Sequence, residues 1–190
     1  NVRVRYSGLN DSKGFVGGFD VQVRGEFVPG LESWLNYGFL VAKEHFLEGF
    51  ENKSKQGWIV RPTDQRHTFS LYVQDYVPGD RTWRLHLRAL YGSGYPYSPL
   101  VPISGSGGNV FLGPGRRNAF RFEAYKRLDA GVTKEIAFGS SRLDVTAELL
   151  NGFDMTNEVG SRWVYGGGRW NRVPIRLTPR TFNVRMRLMW

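Results

Sequence analysis

The chain has 190 residues, 41% of them hydrophobic, at a mean hydropathy of -0.39, and no uninterrupted apolar run reaches the roughly 18 residues that a membrane-spanning helix needs. Cysteine is absent, which excludes a disulfide framework and a thiolate metal site, while 24 glycines and 15% aromatics point to an all-β chain rich in turns. The net charge of +9 is carried by Arg and Lys spread along the chain, never more than two in a row and on no helix face, and so argues against nucleic acid as a partner.

The sequence opens at Asn1 without an initiator Met or a basic and apolar leader, which fits removal of an export signal or a start inside a longer chain. Val2, Val4 and Tyr6 alternate with Arg3 and Arg5 and read as the end of an ascending strand. Across residues 19–27, Phe19, Val21, Val23 and Phe27 oppose Asp20, Gln22, Arg24 and Glu26, and Pro29-Gly30 makes a tight turn. The return strand sets Leu35, Tyr37, Phe39 and Val41 against Asn36, Gly38 and Glu44. A long polar connection follows, from Leu47 to Gln65, with Gly49, Asn52, Gly57 and Pro62.

Phe69, Leu71 and Val73 then alternate with Thr68, Ser70 and Gln74 up to a second turn at Pro78-Gly79-Asp80. Trp83, Leu85, Leu87, Ala89 and Tyr91 interleave with Arg84, His86 and Arg88. Residues 92–118, rich in Gly, Ser and Pro, read as a second long loop. Leu128, Ala130, Val132 and Ile136 lead to a third tight turn at Gly139-Ser140-Ser141, and Leu143, Val145, Ala147 and Leu149 leave it. A third long loop spans 152–176. In the last strand Phe182, Val184, Met186, Leu188 and Trp190 take every second position, with Asn183, Arg185 and Arg187 between them.

Two regularities go together here. Short turns and long loops alternate strictly, which puts all short connections at one end of the strands and all long ones at the other. The alternations persist for roughly 9–13 residues, near the 9–11 that a tilted strand needs to cross a bilayer and beyond the 5–6 typical of globular sheets. Pro29, Pro78 and Pro179 fall in turns or at a strand start, where a missing N–H does no harm. The expected fold is an antiparallel transmembrane β-barrel, with a soluble β-sandwich or up-and-down barrel as the competing reading. Seven strands are clear, and the first and last both descend. With residues 2–6 as an eighth strand a small closed barrel is possible; otherwise residues 1–190 are an arc of a larger wall, whose strand edges must pair with other protein because lipid cannot satisfy them.

Val28-Pro29-Gly30-Leu31, Trp34-Leu35-Asn36-Tyr37, Asp64-Gln65-Arg66-His67-Thr68, Tyr91-Gly92-Ser93-Gly94-Tyr95-Pro96-Tyr97, Tyr125-Lys126-Arg127-Leu128-Asp129 and Leu177-Thr178-Pro179-Arg180-Thr181-Phe182, in that order, resemble the C-terminal barrel strands of TonB-dependent outer-membrane receptors. The likeness covers nearly the whole chain. It implies an integral protein of the bacterial outer membrane, a barrel of about 22 strands with a plugged lumen, and import of a nutrient such as a metal chelate, glycan or peptide. The sequence departs from the family in lacking a plug domain and a TonB-contacting segment. The partners implied are therefore the remaining strands and plug, in the same barrel or a partner chain, a TonB-type energy coupler acting through that plug, outer-membrane lipids and the barrel-assembly machinery. An arc that scaffolds a surface complex without transport is the alternative.

Trp58, Trp163, Tyr165 and Trp170, in or beside the long connections, are candidate ligand contacts, since amphipathic rings can stack on a ligand or anchor at lipid headgroups. Tyr91, Tyr95 and Tyr97 read as an aromatic girdle. Phe182, Leu188 and the closing Trp190 resemble the aromatic-ended signal read by the assembly machinery. His45, His67 and His86 share no metal-ligand spacing. Asp129 with Glu135, and Asp144 with Glu148, are expected to neutralise Arg and Lys in a lumen rather than act as acid and base. The glycines from Gly105 to Gly115 lack a phosphate-loop pattern, and Asp154, Asn157 and Glu158 offer oxygens for calcium without an EF-hand spacing. No Ser-His-Asp or Cys-His arrangement stands out, so no catalytic residue, metal or cofactor is expected.

Overall fold

The computed structural model describes residues 10, 12–47, 57–105 and 110–190, and these contain strands and turns but no helix. The strand expected at residues 2–6 lies outside them, as do Gly49, Asn52 and part of the glycine stretch after Gly105.

β1 (Ser12–Val28) and β2 (Leu31–Phe46) form the first hairpin, and the short β3 (Ile59–Val60) pairs with β2 at Lys43 and Glu44. β4 (His67–Val77) and β5 (Asp80–Gly92) form the second hairpin. The next connection carries two small sheets: β6 (Pro96–Tyr97) pairs with β9 (Phe120–Arg121), and β7 (Leu100–Ser104) pairs with β8 (Val110–Pro114) between them. The third hairpin is β10 (Tyr125–Phe138) with β11 (Ser141–Leu150). A separate hairpin of β12 (Glu158–Gly166) and β13 (Arg169–Arg176) precedes the last strand, β14 (Thr181–Met189). The long strands make one antiparallel meander in the order β1-β2-β4-β5-β10-β11-β14.

The turns differ in chemistry, and the sheet registers the difference. Gly139 comes first in its two-residue turn at φ 59°, as a type II′ turn demands, and its hairpin pairs without a shift from Phe138–Ser141 onward. Gly30 and Gly79 instead follow a proline at φ 81° and 84°, the type II pattern, whose twist opposes that of the strands. Both of those hairpins absorb the mismatch with a register shift beside the turn, at Gly25/Val28 and at Tyr76/Val77.

The meander is open. Successive antiparallel pairings make β1 and β14 run in the same direction, toward the short-turn end, so these two edges cannot pair antiparallel with each other. Compared with the sequence expectations, β1 begins earlier, at Ser12, and the connections of residues 92–118 and 152–176, expected as loops, fold into the hairpins just described. The Gly167-Gly168 pair, with φ 61° and 75°, supplies the two left-handed residues of a type I′ turn between β12 and β13.

Candidate functional site: a two-faced wall and its loop roots

Cross-strand partners project from the same side of a sheet, so the register assigns each strand residue to a face. One face carries the pairs Phe19–Phe39, Leu35–Leu71, Val73–Leu87, Leu85–Val132, Val145–Met186 and Leu143–Leu188. The other carries Gln22–Asn36, Gln74–His86, Arg88–Asp129, Thr133–Thr146, Asp144–Arg187 and Glu148–Asn183.

Burial is inverted relative to a water-soluble domain. Leu85 is 46% exposed, Val184 52% and Phe182 69%, while the buried set includes Ser33, Glu44, Asp64, Asp129, Thr133, Asp144, Thr146, Asn151 and Asn157 against only Leu31, Ala42, Phe46 and Ile59. The two-sheet soluble packing considered from the sequence would cover the apolar face, and no second layer covers it among the described residues.

Charged and aromatic residues bound the apolar face at both ends. Near the short turns Trp83 opposes Lys134, whose ammonium lies 4.8 Å from the Trp83 ring centre and reaches Asp80 at 3.4 Å and the Thr82 hydroxyl. Near the long connections Tyr91 opposes Lys126. From Trp83 to Tyr91 a strand rises about 26 Å, or about 20 Å along the normal when tilted by 40°, comparable with the roughly 25 Å apolar band of an outer-membrane barrel. Trp58 packs edge-on against Phe15 at 5.3 Å and His45 at 5.5 Å, on this same face at its long-connection end.

On the polar face of β10 and β11 the carboxylates are paired. Asp144 takes Arg84 at 3.1 Å and Arg142 at 3.3 Å, Arg142 also reaches Glu135 at 3.4 Å, and Glu148 takes His86 at 3.1 Å and the Asn183 amide at 3.0 Å. Asp129 holds Arg127 at 2.7 Å. The expectation that these carboxylates neutralise Arg and Lys matches the contacts of Asp129, Glu135 and Asp144, whereas Glu148 meets His86 and the Asn183 amide instead. His67 shares a 3.0 Å hydrogen bond with the Tyr37 hydroxyl, so the three histidines stay apart from one another, each with its own neighbours.

Buried polar side chains root the long connections in the wall. Asp64, fully buried, accepts the Ala42 N–H at 2.7 Å and ion-pairs with Arg66 at 3.2 Å and with Arg121, whose guanidinium also donates to the Asp64 carbonyl at 2.6 Å. Burial alone raises this carboxyl's pKa, but the Ala42 N–H and the two guanidiniums outweigh it and hold the group below its ordinary 3.8. The segment before β4 is thereby clasped to β9. Asn118 adds a 2.7 Å bond to the Val60 carbonyl, and Glu44 binds Arg117 at 2.6 Å.

Asn157 pairs with the backbone of Lys126 through both its amide atoms, at 2.8 and 2.9 Å, in the manner of a strand neighbour. Asn151, left-handed at φ 51° and 1% exposed, receives Met155 N–H at 3.0 Å, donates to the Met155 and Thr178 carbonyls, and gives its own N–H to Asp129 at 2.8 Å. Asn151→Gly keeps the conformation and the backbone bond to Asp129 but leaves the Met155 N–H and the Met155 and Thr178 carbonyls without their side-chain partner, so it is expected to cost about 1–3 kcal/mol and to speed proteolysis within residues 151–180, as read on a gel after limited digestion.

The remaining expected sites are distributed as follows. Asp154 accepts the Arg180 N–H, Glu158 pairs with Arg172, and Asn157 is spent on Lys126, so the oxygens considered for calcium do not converge. Among the described residues no group of three or more metal-ligating side chains occurs. Tyr97 is stacked on Phe122 at 4.4 Å within the loop sheets, and Tyr95 is exposed, its carbonyl bonded to Phe122 N–H. Tyr165 and Trp170 meet edge-on at 5.4 Å across the β12–β13 hairpin. Trp163 lines a cavity of about 300 Å³ between that hairpin and the β6–β9 sheet, with Tyr97, Phe122, Ser161 and Arg172. Phe182 and Leu188 stand on the apolar face opposite Leu149 and Leu143, and Trp190 is 93% exposed beyond the strand. Sequence reading missed Asp64, Arg121 and Asn151 as structural anchors; the only local signal was the Asn151-Gly152 turn.

The chain matches no protein-family model, no curated protein and no solved structure.

Proposed function

We propose that the chain forms wall and external loops of a β-barrel integral to the bacterial outer membrane, belonging to a TonB-dependent receptor that imports a nutrient ligand. The observation that carries this reading is the exposed apolar face, bounded at both ends by an aromatic residue beside a lysine and backed by a hydrogen-bonded polar face. Such a sheet is stable where lipid meets one side and a hydrated lumen the other. The short turns then lie on the periplasmic side and the rooted hairpins outside, where the cavity at Trp163 faces arriving ligand.

Lipid cannot satisfy an unpaired strand edge, so β1 and β14 pair with further strands of the same barrel. Those strands, with a plug and through it the energy coupler, complete the transporter, and β14 with Phe182, Leu188 and the adjoining Trp190 is the segment presented to the assembly machinery. The reading rests on the resemblance for its transport step and on the two faces for its location.

In a Gram-negative host, the protein should remain in outer membranes washed with urea and alkaline carbonate, and should migrate differently on gels with and without boiling. Recovery in the wash would contradict the membrane assignment. Loss of the energy coupler should abolish any uptake the protein supports; uptake or surface-complex assembly that continues without it would favour the scaffolding alternative.

A further inference from the structure

The polar face holds a trough of about 490 Å³ near its long-connection end, and its chemistry differs from the rest of that face. Elsewhere the face is a lattice of Arg paired with Asp and Glu. The trough has no Arg, Lys or His in its lining, and Asp20 is its one charged residue. The Asp20 carboxylate and the Thr68 hydroxyl lean together over Gly38, where a Cβ would meet them at 2.6 and 2.7 Å, so a larger residue there would push both aside.

Hydrogen-bonding capacity is left unspent there. Among the described residues Asp20, Gln22, Gln65 and Thr68 give their side chains no hydrogen bond or ion pair. Asn36 donates to Ser70 at 3.4 Å, yet its Oδ1 is buried with no partner. A buried acceptor without a donor costs about 1–3 kcal/mol relative to one that is satisfied. Leu90 and Tyr125 add apolar surface beside these groups, and the volume falls within the roughly 300–1,000 Å³ of small-molecule sites.

We infer that this trough binds a neutral saccharide, which names the ligand class for the transport reading above and rests on that reading. Sugar hydroxyls donate and accept at once, matching amide and hydroxyl side chains that do the same and a carboxylate that accepts two bonds. Their C–H faces suit Leu90 and the Tyr125 ring. An anionic metal chelate would need unpaired cations, which the lining lacks. A peptide in extended form would need a free strand edge; β2, β4, β5 and β10 under the trough are paired on both sides, and the outer edge of β1 is taken by the further barrel strands of the reading above.

The test uses outer-membrane vesicles bearing the intact protein, matched vesicles without it, and labelled short neutral oligosaccharides of the malto-, cello-, xylo- and manno-series, with citrate and triglycine for comparison. At least one neutral series should be retained, citrate and triglycine should not, and Asn36→Leu should weaken retention about tenfold by removing a partnered acceptor. Asp20→Asn, at an exposed residue that tolerates exchange without unfolding, should weaken it as well. Retention of no neutral series, preference for citrate or triglycine, or retention unchanged in both variants overturns the saccharide assignment. Urea washing of the same vesicles separates the two claims: protein that stays while no sugar is retained overturns the ligand class alone, and protein that is stripped away overturns the barrel reading.

Discussion

Leu87→Arg is expected to destabilise the protein folded in phosphatidylcholine vesicles by about 2–4 kcal/mol, the cost of a cation at the midplane of a lipid-facing barrel wall. Leu87 lies halfway between Trp83 and Tyr91, on the face shared with Val73 and Ala130. Asn183→Arg places the same charge on the opposite face, beside the Glu148 carboxylate, and should change stability by no more than about 0.5 kcal/mol. Urea titration followed by tryptophan fluorescence reads both. On a face wetted by water the two substitutions would cost about the same, so it is the contrast between them that carries the information.

Asp64→Ala is expected to cost about 3–5 kcal/mol, because it strips Arg66 and Arg121 of their shared partner and leaves the Ala42 N–H unsatisfied in a buried site. Its effect should be local to the junction of β2, β4 and β9, seen as rapid proteolysis of residues 93–124 in an otherwise intact wall. The pH dependence has a definite sign. The folded carboxyl is held below its ordinary 3.8, so its contribution is fully present above that value and is lost as pH falls through the lower, folded value. Acid should therefore accelerate cleavage of the 93–124 region in the wild type below about pH 3.8, while Asp64→Asn should cleave rapidly at neutral pH already. A wild type whose cleavage is indifferent to acid would remove the clasp from the account.

Strand and turn positions in the wall were legible because a two-residue period is a local signal. Trp83, Leu85, Leu87, Ala89 and Tyr91 announce β5 by themselves, Pro78-Gly79 marks the turn into it, and Gly139-Ser140 marks the turn between β10 and β11. The small sheets in the long connections were not legible. β7 and β8 contain Pro102 and Pro114 within a Gly- and Ser-rich stretch, and β12 and β13 lack clean alternation, so composition read as loop. Pairing of such short strands depends on what their neighbours bury, which no window of sequence contains.

The loop roots were hidden for a related reason. Asp64 and Arg121 stand 57 positions apart, and an isolated Asp in a polar segment looks solvated until folding brings two guanidiniums to it. Asn157 stood in the sequence only as one of three oxygen-bearing residues without a metal-binding spacing. Its true partner is the backbone of Lys126, which the sequence does not single out. The trough shows the same limit: Asp20, Asn36 and Thr68 come from three strands, and only the register sets them around Gly38.

The account stands on which side of this sheet meets lipid, and single cysteines from Arg84 to Leu90 in β5 test it most directly. In sealed vesicles containing brominated lipid, a fluorophore at positions 85, 87 and 89 should be strongly quenched, while one at 84, 86 and 88 should be little quenched and open to water-soluble reagents through the lumen. Equal quenching at all positions, or strong quenching on the side of Arg84, His86 and Arg88, would contradict the membrane wall.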